Sequence, residues 1–453
     1  MTPPIPAKRP NSRGMQSRGM HSRGGPARQR RARQRRALGR HALGRHALGR
    51  HALGRHALGR HAFGMIALLL GCLIATSLPH SVLGDQTAAI TTERSVQAAA
   101  ECRDGDVDNW PMPRGDVGSS GSTTSQIPDA APEVLWTYEN DEGFESTPVI
   151  DQGILVASDM MGTLIALDAK TGKKRWDAKT PLGFAASPAI RESTVYIGDL
   201  DGVLYAFDLK DGTAKWQYET EGEINGAPAF YKDRVLVASQ DGKLYCLNAA
   251  DGKSVWVYES KDQIRCSPSV VGNRTFLGGC DAALHSVDLE TGTQTAAPIP
   301  LNGPTGSTPA VVGDIAYLPT MEGAVYAIDW RQHKVRWQWE DDKRPQQYRN
   351  SAAANTDMIV VSSKRKFVDA LSPAGKPIWR YTLRREADAS PLISGNDVWI
   401  ASIDGRLIRL DATSGKEKWS MEIKGGFAAS PAIASQRLFI ADDRGIIRCL
   451  GTP

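Results

Sequence analysis

The sequence is poor in the side chains that most enzymes and metal proteins depend on. Its 453 residues include six cysteines: Cys72, Cys102, Cys246, Cys266, Cys280 and Cys449. None are adjacent, none form a Cys-x-x-Cys pair, and none sit with histidine at zinc-ligand spacing. That excludes a zinc finger or ribbon and a c-type haem attachment site. Five cysteines follow Cys72, an odd number, so at most two internal disulfides can form and their pairing stays open. Of nine histidines, only His285 and His333 lie beyond residue 80. No apolar run reaches the roughly 20 residues of a membrane-spanning helix. Between residues 133 and 450 there is no sustained helical periodicity.

Acidic residues are missing from the first 84 positions, which hold 16 of the 55 Lys and Arg. The remaining chain therefore carries 39 basic residues against 50 acidic ones, a net charge of −11. An acidic body argues against a nucleic-acid role for the folded part.

The leader is low in complexity. Residues 1–64 include the Arg-rich "ARQRRARQRR" (Ala27–Arg36) and five copies of "ALGRH" over residues 37–61. They read as a solvated basic extension, or as upstream sequence included by an early start codon; a nucleic-acid-binding arm is the sharper alternative. Residues 65–84 follow with "MIALLLGCLIATSL" and "SVLGD". A short apolar run after a basic stretch is the pattern of a secretory signal, with cleavage expected after Gly84. A lipid anchor at Cys72 fits less well, because Leu70 is large for its position and the apolar run continues past the cysteine. Residues 85–132 read as an irregular lead-in, and 133–453 as one repeat domain.

Tryptophans recur in that domain at Trp136, Trp176, Trp216, Trp256, Trp337, Trp379 and Trp419, with Ala296 where an eighth is due. A second marker keeps the same count. A small residue precedes proline at Thr147, Ser187, Ala227, Ser267, Thr308, Ser390 and Ser430, and Ser351-Ala352 fills the remaining slot. Two independent markers agree on eight copies of about forty residues. Each period resolves into four short strands. In residues 187–219 these are "SPAI", "TVYIGD", "VLYAFD" and "TAKWQYE", separated by turn signals such as Asp201-Gly202. The expected fold is all-β, an eight-bladed β-propeller with four antiparallel strands per blade. The last repeat ends on a third strand, "GIIRCL", and the domain begins with a spare tryptophan strand, "EVLWTYE". Pairing the two closes the ring and leaves no open edge. The tryptophans are therefore expected to be architecture, docking one blade on the next. At Ala296, "AAPIP" predicts a short or irregular fourth strand, since proline cannot donate to a ladder.

These residues resemble the pyrroloquinoline-quinone-like (PQQ-like) propeller repeat family, whose docking pattern is Ala-x-Asp-x-x-x-Gly-x-x-x-Trp. It stands here as Ala166, Asp168, Gly172 and Trp176, and again as Ala206, Asp208, Gly212 and Trp216. Other copies depart from it: Asn248 replaces Asp, Ser286 and Arg409 replace Ala, His333 replaces Gly, and the copy before Trp379 is one residue short. "NWPMPRGDVGSSGS" (Asn109–Ser122) looks like the "WPxxRG" lead-in of secreted bacterial propellers. Within the family, the architecture is closest to an eight-bladed outer-membrane assembly lipoprotein. That resemblance implies a non-enzymatic scaffold of the cell envelope, monomeric, with a protein partner and no cofactor. The alternative it implies is a PQQ-dependent oxidoreductase holding the quinone with calcium. Against that alternative stand the missing Cys-Cys pair, the missing Cys-x-x-Cys-His and the lack of any insertion long enough for a lid. Asp199 and Asp201 read as turn formers, and His285 and His333 fall in repeat slots, so no catalytic or metal-ligating residue is assigned.

Binding is expected where the repeat is irregular. The residue two before each Ser/Thr-Pro marker falls at the inner rim of one face. The polar members of that set, Glu145, Asn225, Arg265, Arg349 and Asp388, are the candidate binding rim. The sixth repeat has a longer approach loop, "DDKRPQQYRNS" (Asp341–Ser351), and a hairpin reading "SKRKF". Lys364, Arg365 and Lys366, with Arg384 and Arg385, are a candidate basic docking patch for an anionic partner on an otherwise acidic protein.

Overall fold

A computed structural model describes residues 109–453. The basic leader, the apolar run, Cys72 and Cys102 lie outside the described residues. The described chain is all-β, in eight blades of four antiparallel strands. Blade 2 shows why. Its strands are Ala189–Arg191, Thr194–Gly198, Val203–Asp208 and Ala214–Glu219, counted from the channel outward. The second is buried along its whole length, matching its continuous apolar run, because it packs against a blade on either side. The fourth alternates exposed and half-buried residues, as an outer strand with one wet face must. Asp199 holds the hairpin between the second and third strands: its Oδ1 accepts from the amides of Val203 at 2.8 Å and Asp201 at 3.0 Å.

Six of the seven docking tryptophans bond across to the next blade. Trp176 Nε1 donates to the Leu209 carbonyl at 2.9 Å, Trp216 to Ala249 at 3.0 Å and Trp379 to Ala412 at 2.7 Å, in these cases 33 residues along, and Trp337 to Pro373 at 2.9 Å, 36 along. The glycine of the pattern lets the indole lie flat on the turn. Gly212 adopts φ +75°, and a β-carbon there would stand 2.6 Å from the Trp176 ring.

The second marker also has a physical meaning. The amide of each Ser/Thr donates to the hydroxyl of its counterpart in the following blade: Thr147 to Ser187 at 2.9 Å, Ser267 to Thr308 at 3.1 Å, Ser390 to Ser430 at 2.9 Å. This ring of bonds spans seven of the eight seams. It breaks between blades 2 and 3, where Ala227 has no hydroxyl.

The ring closes as the sequence predicts. Ala432–Ala434, Arg437–Ala441 and Ile446–Gly451 form three strands of blade 8, and Glu133–Glu139 supplies the fourth, antiparallel, with Trp136 opposite Cys449.

The lead-in has little regular structure, a two-residue strand Ser122–Thr123 pairing parallel with Leu392–Ser394, yet it is built into the domain. It passes along the innermost strands at the end of the first hairpins. Backbone amides of Ile150, Ile190, Val270, Val311, Ala354 and Ile393 donate to carbonyls of Trp110, Pro111, Val117, Gly118, Ser120 and Gly121 at 2.7–3.0 Å. Six of the eight blades thus hold it. Arg114 is buried and binds the carbonyls of Pro391 at 3.0 Å and Ala352 at 2.7 Å, tying blades 6 and 7 together. Burial lowers its guanidinium to a pKa of about 10. Arg409, the departure from the alanine of the docking pattern, is 2 % exposed and clamps the other end. It donates to Pro128 O at 2.9 Å and Ile127 O at 3.1 Å and pairs with buried Asp397 at 2.5 Å.

Blade 4 departs where the sequence says it should. Its outer strand is only Ile299–Pro300. Trp330, at the place Leu209 holds in blade 2, turns back to fill the seam and lies 5.8 Å from the Phe276 ring. With no indole above the next docking turn, the glycine slot accepts His333 at φ +53°, and its Nε2 bonds the Ala297 carbonyl.

Candidate functional site

The lead-in covers one end of the channel; the loops that approach each first strand and the second hairpins share the other. These loops are locked together. In every blade a hairpin amide donates to an approach-loop carbonyl, from Met160 to Gly143 through to Asp443 to Gly426, at 2.9–3.2 Å. The face is therefore preformed, and its irregular side chains stand on a rigid frame.

The rim set gathers around this mouth. Arg265 and Arg349 are exposed. Arg265 binds Gln263 Oε1 at 2.8 Å, and Asn225 accepts from Gln240. Arg349 is forced outward by its neighbours. Tyr348 is fully buried, and Asn350 donates to the Ala387 carbonyl at 2.6 Å and Ser362 Oγ at 3.0 Å. Glu145 and Asp388, from blades 1 and 7, are close enough to interact. Glu145 is an exposed side chain on a crowded rim, and partial desolvation there, then the Asp388 charge, raise its carboxyl above the ordinary range. The mouth is thus acidic on the side of blades 7 and 1 and basic on the side of blades 4 and 6.

The basic patch is only partly free. Lys364 pairs with Asp388, Arg384 with Glu422 at 3.0 Å, and Arg385 lies 4.0 Å from Glu386. Among the described residues, Arg365 and Lys366 at the hairpin tip have no ion pair. Lys366 takes the position that is glycine in most of the other hairpins, at φ +70°, which presents both cations to solvent. The sequence marked the patch but not its pairing: the partners are 24 and 38 residues away, with no local signal.

His285 sits in a hydrogen-bonded chain, Nδ1 to Tyr258 Oη at 2.8 Å and Nε2 to Asp281 Oδ2 at 2.8 Å. The chain is buried, and Tyr258 also donates to Gln294 at 3.2 Å. It stitches blade 3 to blade 4 and offers no hydroxyl to solvent. The described cysteines, Cys246, Cys266, Cys280 and Cys449, are free thiols. Among the described residues no three His, Cys, Asp or Glu side chains converge as a metal-ligand set.

A family model described as outer membrane protein assembly factor BamB matches residues 127–229, 221–363 and 364–450. The chain is 27% identical over 113 residues to BamB of Burkholderia pseudomallei (strain K96243), covering 25% of this chain and 29% of the relative. It is 21% identical over 145 residues to BamB of Legionella pneumophila (strain Paris), covering 32% and 37%. These alignments span about a third of the relatives' length. Among solved structures, BamB from Moraxella catarrhalis superposes with TM-score 0.63 at 19% identity, over 71% of this chain and 98% of the other. Quinohemoprotein alcohol dehydrogenase from Comamonas testosteroni does so with TM-score 0.67 at 16% identity, over 80% and 85%. At such identities the likeness shows the fold, which scaffold and oxidoreductase share.

Proposed function

The chain belongs to the family of the outer membrane protein assembly factor BamB, and on that premise we propose that it is a non-enzymatic scaffold of the cell envelope, exported by its leader, that holds a protein partner on its open loop face. The observation that carries this reading is the locked loop face with an irregular, charge-divided rim. A regular ring needs no such irregularity for its own stability, and Arg349, Arg365 and Lys366, cations without an ion pair among the described residues, suit acidic side chains of a partner. The reading assigns no cofactor, no catalytic residue and no nucleic acid to the mature chain, and it treats the chain as a monomer. The partner belongs, by the family's description, with proteins that assemble the outer membrane.

Affinity purification from envelope fractions tests it, with wild type beside Arg349→Glu/Arg365→Glu. The reading expects a discrete envelope protein that is retained by wild type and lost with the reversed charges. Recovery of the same protein from both would overturn the rim assignment. Retained quinone absorbance with dye-linked alcohol oxidation, after adding the quinone and calcium, would overturn the non-enzymatic reading.

A further inference from the structure

The seam between blades 5 and 6 is built unlike those between blades 2 and 3 and between blades 3 and 4. In blades 2 and 3 the third-strand residue just before the one facing the docking tryptophan is Tyr205 or Tyr245. A residue two past the preceding blade's tryptophan leans on it. Tyr218 packs edge-on against Tyr245 at 5.6 Å, and in the next seam Tyr258 does the same with His285 at 6.0 Å. Rings close those seams. Blade 6 places Asp369 in this slot, across from Trp339 of blade 5. An aspartate is much smaller than a tyrosine, and an open cavity of about 500 Å³ remains, bordered by the long approach loop of blade 6.

The cavity is not merely a packing fault. Arg380 bridges two of its carboxylates, Nη1 to Asp341 at 2.7 Å and Nε to Asp369 at 2.5 Å. Asp369 is 3 % exposed, and its second oxygen has no hydrogen-bond partner. A buried acceptor left unmet is costly, so the cavity wall carries an unspent demand for a donor. Tyr348, within the same loop, is fully buried with its hydroxyl also unpartnered. Glu340 and Asp342 add two more carboxylates against Lys343 alone, which leaves the lining net negative. The apolar part is two indoles, Trp339 and Trp379, with Pro377 and the exposed side chain of Ile378. An aromatic face beside excess carboxylate attracts a cation, and an aliphatic wall favours one that carries an apolar stem.

We propose that this cavity binds an organic cation with an apolar stem, the chemistry of a lysine side chain. The source is either a lysine presented by a polypeptide or a free aliphatic diamine. The test is saturation-transfer NMR on the full chain with Nα-acetyl-lysine methylamide, with 1,5-diaminopentane and with a neutral methyl glucoside. Both amines should show transfer to their methylenes, weakened by salt, and the tighter of the two names the source. The glucoside should show none. Asp369→Tyr installs the ring that blades 2 and 3 use and should abolish the signal. Asp342→Asn, at an exposed position, should weaken binding about tenfold, the equivalent of ~1.4 kcal/mol. Unchanged binding in an intact Asp369→Tyr protein, or competition by the glucoside, overturns the proposal. If Asp369→Tyr does not fold, unchanged affinity in Asp342→Asn overturns it equally.

Discussion

The amide of Ser430 donates to Oγ1 of Thr147 at 3.1 Å, joining residues 283 positions apart. This bond completes the hydroxyl ring that Ala227 interrupts. Ala227→Ser should supply the missing acceptor for the Ser187 amide and stabilise the domain by about 0.5–1.5 kcal/mol. Thr147→Val should strand the Ser430 amide and cost about 1–3 kcal/mol. Urea titration of both variants checks the pair; no change in either would mean that the ring contributes nothing.

Ala296→Trp should destabilise blade 4, although it restores the family residue. The glycine that would lie under the new indole is His333, and Trp330 already fills the seam. Overpacking of this kind costs about 1–3 kcal/mol. The double variant Ala296→Trp/His333→Gly should recover part of that loss. Trp216→Ala, by contrast, empties a working dock and should cost roughly 3–5 kcal/mol. A gain from Ala296→Trp alone in urea melts contradicts this account.

Truncation separates the leader from the lead-in. Removal of residues 1–108 should leave the melting temperature unchanged, whereas removal through 128 should lower it, because Trp110, Arg114 and six backbone acceptors go with it. Deleting 133–140 opens the ring and should cost more still. Arg409→Ala should destabilise by about 1–3 kcal/mol, since it strips the carbonyls of Ile127 and Pro128 of their donor and leaves buried Asp397 with Lys418 alone. Equal melting of the truncations through 108 and through 128 contradicts the clamp.

Glu145→Gln tests the charge at the mouth. Partial desolvation and Asp388 raise the folded carboxyl of this exposed residue above its ordinary value, so its ionisation weakly opposes folding. The stability linked to Glu145 is present at low pH and is lost as pH rises from the ordinary glutamate value of about 4.3 through the raised one. The variant should therefore melt higher than wild type at neutral pH and match it in acid. Calorimetry at both pH values decides the sign.

The blade count, the closing strand and the weak outer strand of blade 4 were legible because each follows from a periodic marker or its absence. The lead-in was not. Blade amides donate to its backbone carbonyls, bonds that leave little side-chain signature beyond Arg114. Arg409 was visible as a break in the docking pattern, but its meaning depends on Ile127 and Pro128 passing over blade 7. The basic patch was readable as composition; its pairing with Asp388 and Glu422 arises only from the approach of separate loops.

The leader reading makes its own prediction. N-terminal sequencing of the exported chain should find a start near Asp85. An "ALGRH" array on the mature protein contradicts it, and a lipid-modified Cys72 would replace a free chain with an anchored one.

The central claim is that the open loop face holds a partner while the lead-in face does not. Site-specific photo-crosslinking in cells tests it most directly, with the probe at position 349 on the rim and at position 152 on a first hairpin of the opposite face. The account predicts a discrete adduct with an envelope protein from 349 and none from 152. Adducts of the same partner from both positions, or from 152 alone, would contradict it.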